Sequence, residues 1–181
     1  MSIWKSSTVA VAFMVCIGTQ AWAQDGPERT TSIPSLTVEA AKQTLLDPTT
    51  YAPAGMLYVS SRLDWNSSQV FFAHGDVEEN SRYTITGLPH DRPMSYSQGN
   101  KQLLTDALSV ASVSAVNNVV AHFTVDALAI RNPEHAKLWK TLGWIERTAV
   151  ASSLSYILSV QHFRQWETNQ RIAAQRGYIG Q

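Results

Sequence analysis

The sequence predicts an all-α fold: a small helical bundle of three long helices and one short amino-terminal helix, after a signal peptide. Two observations predict it. Apolar or small residues recur at intervals of three and four along three long segments, and no alternating run is long enough to form a sheet. Proline and glycine stand at the ends of these segments, where they stop or start helices. The 181 residues fit one domain of ordinary size.

The first 23 residues follow the order of a secretory signal peptide. Lys5 precedes an apolar run over 8–18, and Ala21-Trp22-Ala23 places small residues at the two positions that a signal peptidase recognises. The apolar run is shorter than the roughly 20 residues that span a bilayer. We therefore predict export, a mature amino terminus at Gln24, and a periplasmic or inner-membrane-associated location in a bacterial cell envelope.

The lead of the mature chain, residues 24–53, is polar and is expected to be flexible apart from one short helix. That helix is predicted from Ser35, which can cap it, to Leu46, and Asp47-Pro48 ends it.

The helical-bundle domain is predicted over 54–176, with a tail over 177–181. Gly75 is a helix terminator, and Pro133 occupies a favoured first position of a helix. Glycine and proline without an apolar repeat indicate a long irregular loop before the second long helix. The predicted bounds are 54–74, 100–130 and 133–176 for the helices and 76–100 for the loop.

The composition excludes several classes of partner and chemistry. Fourteen basic and fourteen acidic residues give a net charge of zero, which offers no electrostatic case for a nucleic-acid partner. Cys16 is the only cysteine and lies in the signal peptide, so the mature chain would have no disulfide and no thiolate metal ligand.

The second long helix is long enough to span a bilayer but carries polar groups such as Asp106 and Asp126. Each charge at the bilayer centre costs about 2.5–3.5 kcal/mol on insertion scales. The helices are therefore either the buried helices of a soluble bundle or short spans whose polar residues face one another. Charged residues make up only 15% of the chain, which favours membrane association, with lipid or an envelope protein as partner.

A polar cluster between the helices is the first candidate site. Small and polar residues follow one face of the second long helix at helical spacing, and other polar residues lie on similar faces of its neighbours. This pattern indicates either a hydrogen-bonded packing seam or a functional group of ligands or proton acceptors. We expect the charged members to pair with one another or with Arg62 or Arg147. The candidate members are Asp64, Asn118, His122, Asp126 and Glu146.

The loop after the first long helix is the second candidate site. His74, Asp76, Glu78 and Glu79 concentrate three carboxylates and an imidazole within six positions. Carboxylate oxygens in such a run can bind a cation, although a solvated helix end has the same composition.

No motif for catalysis or cofactor binding is present. The sequence has no phosphate-binding glycine loop, no dinucleotide fingerprint and no nucleophile elbow, so it requires no cofactor. We expect an exported envelope protein with a structural, binding or accessory role rather than an enzyme. The alternatives are a metal-binding protein or metal-dependent enzyme that uses the polar cluster, and a small membrane transport component.

The pattern Asp64-x-x-Ser67-Ser68, followed by Gly75 and then Glu79-Asn80, resembles one in small uncharacterised bacterial multi-helix membrane proteins. The resemblance covers residues 64–160 and implies a helical membrane domain without an assigned activity. The chain departs from that pattern where Ser81 follows Asn80, because an Asn-Pro pair is usual at the end of the acidic turn.

Overall fold

A computed structural model of the chain describes residues 33–178, so the predicted signal peptide lies outside the described residues. Within this range the fold is all-α, with one short helix followed by three long ones, as the sequence predicts. Short 3₁₀ turns lie within three of the connections, and no β-strand forms among residues 33–178. The helices are α1 (Ile33–Leu46), α2 (Ala52–Ala73), α3 (Tyr96–Arg131) and α4 (Ala136–Gln175), and the turns are Pro48–Thr50, Ser81–Tyr83 and Pro133–His135.

The helix ends lie close to the glycine and proline signals. Gly75 follows α2 with a φ of 91°, a conformation that glycine adopts without steric cost, and its N–H donates to the carbonyl of Phe72 at 3.1 Å. Pro133 begins a 3₁₀ turn rather than the last α-helix, which starts three residues later at Ala136. The second long helix begins at Tyr96, four residues before the predicted start.

The described residues divide into two compact units. We call residues 33–50 and 113–150 unit A, and residues 51–112 and 151–178 unit B. Helices α3 and α4 each contribute one part to unit A and one part to unit B.

The apolar core of unit B is aromatic. The ring of Trp65 lies 5.5 Å from that of Tyr83 and 5.6 Å from that of Phe72, and Leu103 completes the buried set. Gly99 permits this packing, because a Cβ atom at that position would overlap the Trp65 indole. The first turn of α3 is thus held close to the middle of α2.

The loop between α2 and α3 is folded back on itself. Backbone hydrogen bonds join Glu78 to Asp91 at 2.9 Å and Met94 to Tyr83 at 2.7 Å. The turn passes through His90, which has a φ of 62°. The segment predicted as irregular therefore has a definite hydrogen-bonded course that fixes the acidic residues at its start.

Polar and apolar side chains are distributed unusually over the described residues. Ser, Thr and Asn side chains, with His122 and Arg147, are prominent among the buried residues, whereas many Leu, Val and Ile side chains on the helices are exposed. α3 is long and apolar enough to cross a membrane by length and composition, and only 22% of its most apolar window is buried. Length and composition alone do not distinguish such a span from a core helix of a soluble protein.

Candidate functional site

Unit A contains a buried ion pair centred on Asp47. Its carboxylate accepts a hydrogen bond from Nε of Arg147 at 2.7 Å and lies 3.1 Å from Nε2 of His122. The same carboxylate accepts hydrogen bonds from the backbone N–H and the hydroxyl of Thr49. Burial alone would raise the pKa of Asp47, but the hydrogen bonds from Thr49 and Arg147 outweigh it and leave the pKa below its usual value.

The three other predicted cluster members in unit A lie outside this ion pair. The Asn118 amide donates to the hydroxyls of Thr49 and Thr50 at 2.9 and 2.8 Å, beside the Asp47 pair. Asp126 accepts a hydrogen bond from the Gln43 amide at 3.0 Å. Both carboxylate oxygens of Glu146 are buried without a formed hydrogen bond among the described residues.

The fifth predicted member, Asp64, belongs to unit B, where its partners come from α4. His162 donates from Nδ1 to one carboxylate oxygen of Asp64 at 2.8 Å. The buried Asn169 amide donates to Ser67 and Ser68 at 3.0 Å each and approaches the other Asp64 oxygen at 3.4 Å. The residues of the Asp-x-x-Ser-Ser pattern thus share one partner residue on α4.

Among the described residues the predicted charges form no ion pair with one another or with Arg62 or Arg147, so this part of the expectation is wrong. Burial raises the pKa of Glu146, and the charge of Arg147 partly offsets that rise. Arg147 pairs with Asp47, a residue that the sequence pattern marked only as a helix end. Arg62 donates to Asn100 and to the hydroxyl of Tyr96 instead of to an acid. The physical reason is local: the turn at Pro48 directs the Asp47 carboxylate back towards the buried guanidinium, which needs a charged acceptor.

The four residues of the predicted loop site also have distinct partners. His74 stacks on the Tyr178 ring at 3.8 Å and donates from Nδ1 to the carbonyl of Val70. Asp76 pairs with Arg176 at 3.1 Å across an exposed contact. Among the residues that the structure describes, no three His, Cys, Asp or Glu side chains are grouped so that they could hold one metal ion.

Three of the loop residues nevertheless line one cavity in unit B. The cavity has a volume of about 520 Å³, within the range of small-molecule sites. One face of α4 supplies four of its lining residues at helical spacing, Arg176 follows directly after the helix, and the facing side of α2 and the loop supply the rest. The α4 residues are His162, Gln165, Asn169 and Ile172.

The cavity combines an acidic edge with an aromatic wall. Four carboxylates line it, those of Asp64, Asp76, Glu78 and Glu79, against one guanidinium and one imidazole. Burial raises the pKa of Glu78, and the nearby charges of Asp64 and Glu79 raise it further. The aromatic side chains that line the cavity are Trp65, Phe71, Phe72 and Tyr83.

The α4 part of this cavity was missed by sequence reasoning. Beyond the predicted cluster, polar residues continue along the third long helix at the same spacing of three and four, from His162 through Gln165 and Asn169 to Arg176. Asn169 and Arg176 were therefore available from the periodicity of the sequence. Asp47 carried no such signal, because its partners lie 75 and 100 residues away in sequence.

No family model, no curated protein and no solved structure matches this chain.

Proposed function

We propose that this chain is an exported cell-envelope protein that is embedded in the membrane and has a binding or accessory role rather than a catalytic one. The proposed partner of its apolar surface is membrane lipid. The proposed signal peptide directs export and is removed after Ala23.

The distribution of polarity carries this proposal. Buried charge and amide groups such as Arg147 and Asn118 coexist with exposed Leu108, Val113 and Val116 on α3. A protein folded in water tolerates single exposed apolar residues but rarely a continuous apolar patch. In lipid the same distribution is favourable, because apolar side chains meet acyl chains and polar groups find partners within the protein.

The central part of α3 supports the same conclusion. Residues 107–124 contain no Asp, Glu, Lys or Arg; Asp106 and Asp126 border this segment, and Lys101 and Arg131 lie further out. An 18-residue helix rises about 27 Å, which is close to the thickness of a hydrocarbon core. His122 and Asn118 lie in this segment, and both have polar partners within unit A.

Membrane extraction tests the proposal. We expect the full-length protein, expressed in a bacterial host, to remain in the membrane pellet in 1 M salt and alkaline carbonate and to require detergent for release, as about 20 apolar helical residues predict. Release by carbonate alone would contradict membrane embedding.

Mass spectrometry of the same membrane fraction tests export. We expect the main species to begin at Gln24. A main species that retains residues 1–23 would contradict removal of the signal peptide.

A second candidate function, an enzyme, is favoured by one observation. The hydrogen bond from Nδ1 of His162 to Asp64 fixes the tautomer of a ring that lines the cavity, as in sites where an imidazole accepts a proton at Nε2. If the His162–Asp64 pair is catalytic, His162→Gln would abolish the enzymatic activity. A His162→Gln protein that retains the cellular function of the wild type would exclude the catalytic role.

A further inference from the structure

We infer that the cavity of unit B binds a small organic cation, an alkyl- or arylalkylammonium compound, between the acidic start of the loop and the aromatic wall of α2. This inference goes beyond membrane embedding and does not depend on it, since the cavity lies wholly within unit B.

The charge of the cavity selects a cation. Asp64 has His162 as its partner and Asp76 has Arg176, so Glu78 and Glu79 add negative charge that no basic lining residue offsets. Burial is the main cause of the raised pKa of Glu78, and the nearby charges of Asp64 and Glu79 raise it further. An ammonium group placed here would neutralise a charge that the fold leaves in excess.

The arrangement of the acids selects an organic cation over a metal ion. Mg²⁺ and Ca²⁺ need several oxygen ligands converging on one point. Within residues 33–178 no three acidic or imidazole side chains converge in that way. A molecular cation several atoms long can instead contact separate carboxylates through N–H groups pointing in different directions.

The walls of the cavity select a ligand with an apolar body. Aromatic faces attract an ammonium group by cation–π interaction and cover the hydrocarbon or aryl part of the ligand. Arg176 already lies 5.8 Å from the centroid of Phe71, so this ring accepts a cation in the described structure.

Calorimetric titration of the full-length protein in mild detergent tests the inference with matched probes. Tyramine carries an ammonium group, an aryl ring and a hydroxyl group, and tyrosol replaces its amine with a neutral hydroxyl. We expect saturable binding of tyramine and binding of tyrosol at least about tenfold weaker, because only the amine is charged. Equal binding of the two compounds would overturn the inference, as would the absence of saturable binding of both tyramine and 1,4-diaminobutane.

Variants locate the site. We expect Glu78→Gln to weaken tyramine binding about tenfold, and Glu134→Gln, the same charge change at an exposed residue of unit A, to leave it unchanged. Unchanged binding in Glu78→Gln, with a melting temperature at least as high as that of the wild type, would overturn the inference. Stoichiometric Ca²⁺ binding that displaces tyramine would overturn the choice of an organic cation, and membrane extraction is measured independently of both results.

Discussion

Asp47 ends α1 and also satisfies the buried guanidinium of Arg147. The side chains of Asp47 and Arg147 are 11% and 9% exposed, so both groups have lost most of their hydration. In such a pair, loss of one partner leaves the other charge buried and unpaired. The Asp76–Arg176 pair has the same chemistry at 45% and 49% exposure, where solvent screens both charges.

We expect Asp47→Asn to lower the free energy of unfolding by about 3–5 kcal/mol, because Arg147 would then lack a charged acceptor. Asp76→Asn is the matched control and should change stability by at most about 1 kcal/mol. Thermal unfolding in detergent, followed by circular dichroism, measures both variants. Equal shifts in melting temperature would show that the Asp47 pair does not stabilise unit A.

Ionisation of Glu78 has opposite consequences for binding of the proposed cation and for the stability of the fold. Its pKa in the folded chain is raised above the ordinary 4.5, so the folded state holds the proton more tightly than the unfolded state. Its contribution to stability is therefore present below pH 4.5 and is lost as pH rises through the raised pKa. Asp64, Asp76, Glu79, Arg176 and His162 face the same cavity, and the charges of Asp64 and Glu79 add to the effect of burial on the pKa of Glu78.

Glu78→Gln should therefore increase the melting temperature at pH 7 relative to the wild type and remove the difference at pH 4. Tyramine binding to the wild type should strengthen as pH rises through the raised pKa, because the carboxylate then becomes charged. Melting curves and titrations from pH 4 to 8, taken as differences between wild type and variant, isolate the contribution of Glu78. A variant less stable than the wild type at pH 7 would contradict the burial of a costly charge at Glu78.

Single residues were predictable from the sequence only where periodicity or local turn chemistry marked them. Gly75 was predicted to end the helix because glycine readily adopts the left-handed backbone conformation, with positive φ, that commonly follows the last turn of a helix. Asn118 and His122 were identified because they lie on the seam of small residues, and both are buried. Asp47 was not, since nothing local specifies a contact with residues on two distant helices.

At the level of helices, close approach between α2 and α3 in unit B depends on a position without a side chain. Gly99 lies in the first turn of α3 against the indole of Trp65. Helix propensity favours alanine over glycine by about 1 kcal/mol in a helix interior. Packing opposes that preference here, because a new methyl group must displace a buried ring.

Gly99→Ala should consequently destabilise unit B by about 1–3 kcal/mol despite the gain in helix propensity. Gly55→Ala is the control, since a Cβ atom at Gly55 meets no atom within 4 Å in the part of the chain that the structure describes. It should be neutral or stabilising by up to about 1 kcal/mol. Thermal melts of both variants, followed by circular dichroism, decide between these effects, and a more stable Gly99→Ala variant would contradict the close packing.

The order, type and approximate bounds of the helices were predictable because three long periodic segments are separated by proline and glycine. The division into two units was not, because α3 and α4 run through both units without a break in their sequence pattern. The cavity was predicted only in its loop residues. Its α4 side requires the pairing of α2 with α4, which depends on contacts such as Asp64 with His162, 98 residues apart in the chain.

For the whole molecule, membrane embedding and folding in water predict opposite effects of a charge on the exposed face of α3. Val116 is 57% exposed and lies in the charge-free segment 107–124. In a soluble protein, Val116→Lys would change stability by no more than about 0.5 kcal/mol and would improve solubility. In a membrane span, the same lysine costs about 2.5–3.5 kcal/mol of insertion free energy at the helix centre.

We therefore expect Val116→Lys to reduce the carbonate-resistant membrane fraction and the steady-state amount of the protein. Leu104→Lys is the matched control: Leu104 is also exposed on α3, at 52%, but it lies outside the charge-free segment and near Lys101. A lysine there can extend its ammonium group into the interface, so its effect should be small. Fractionation and immunoblotting of the two variants measure the difference, and a Val116→Lys protein that fractionates with the membrane in wild-type amounts would exclude α3 as a lipid-facing span.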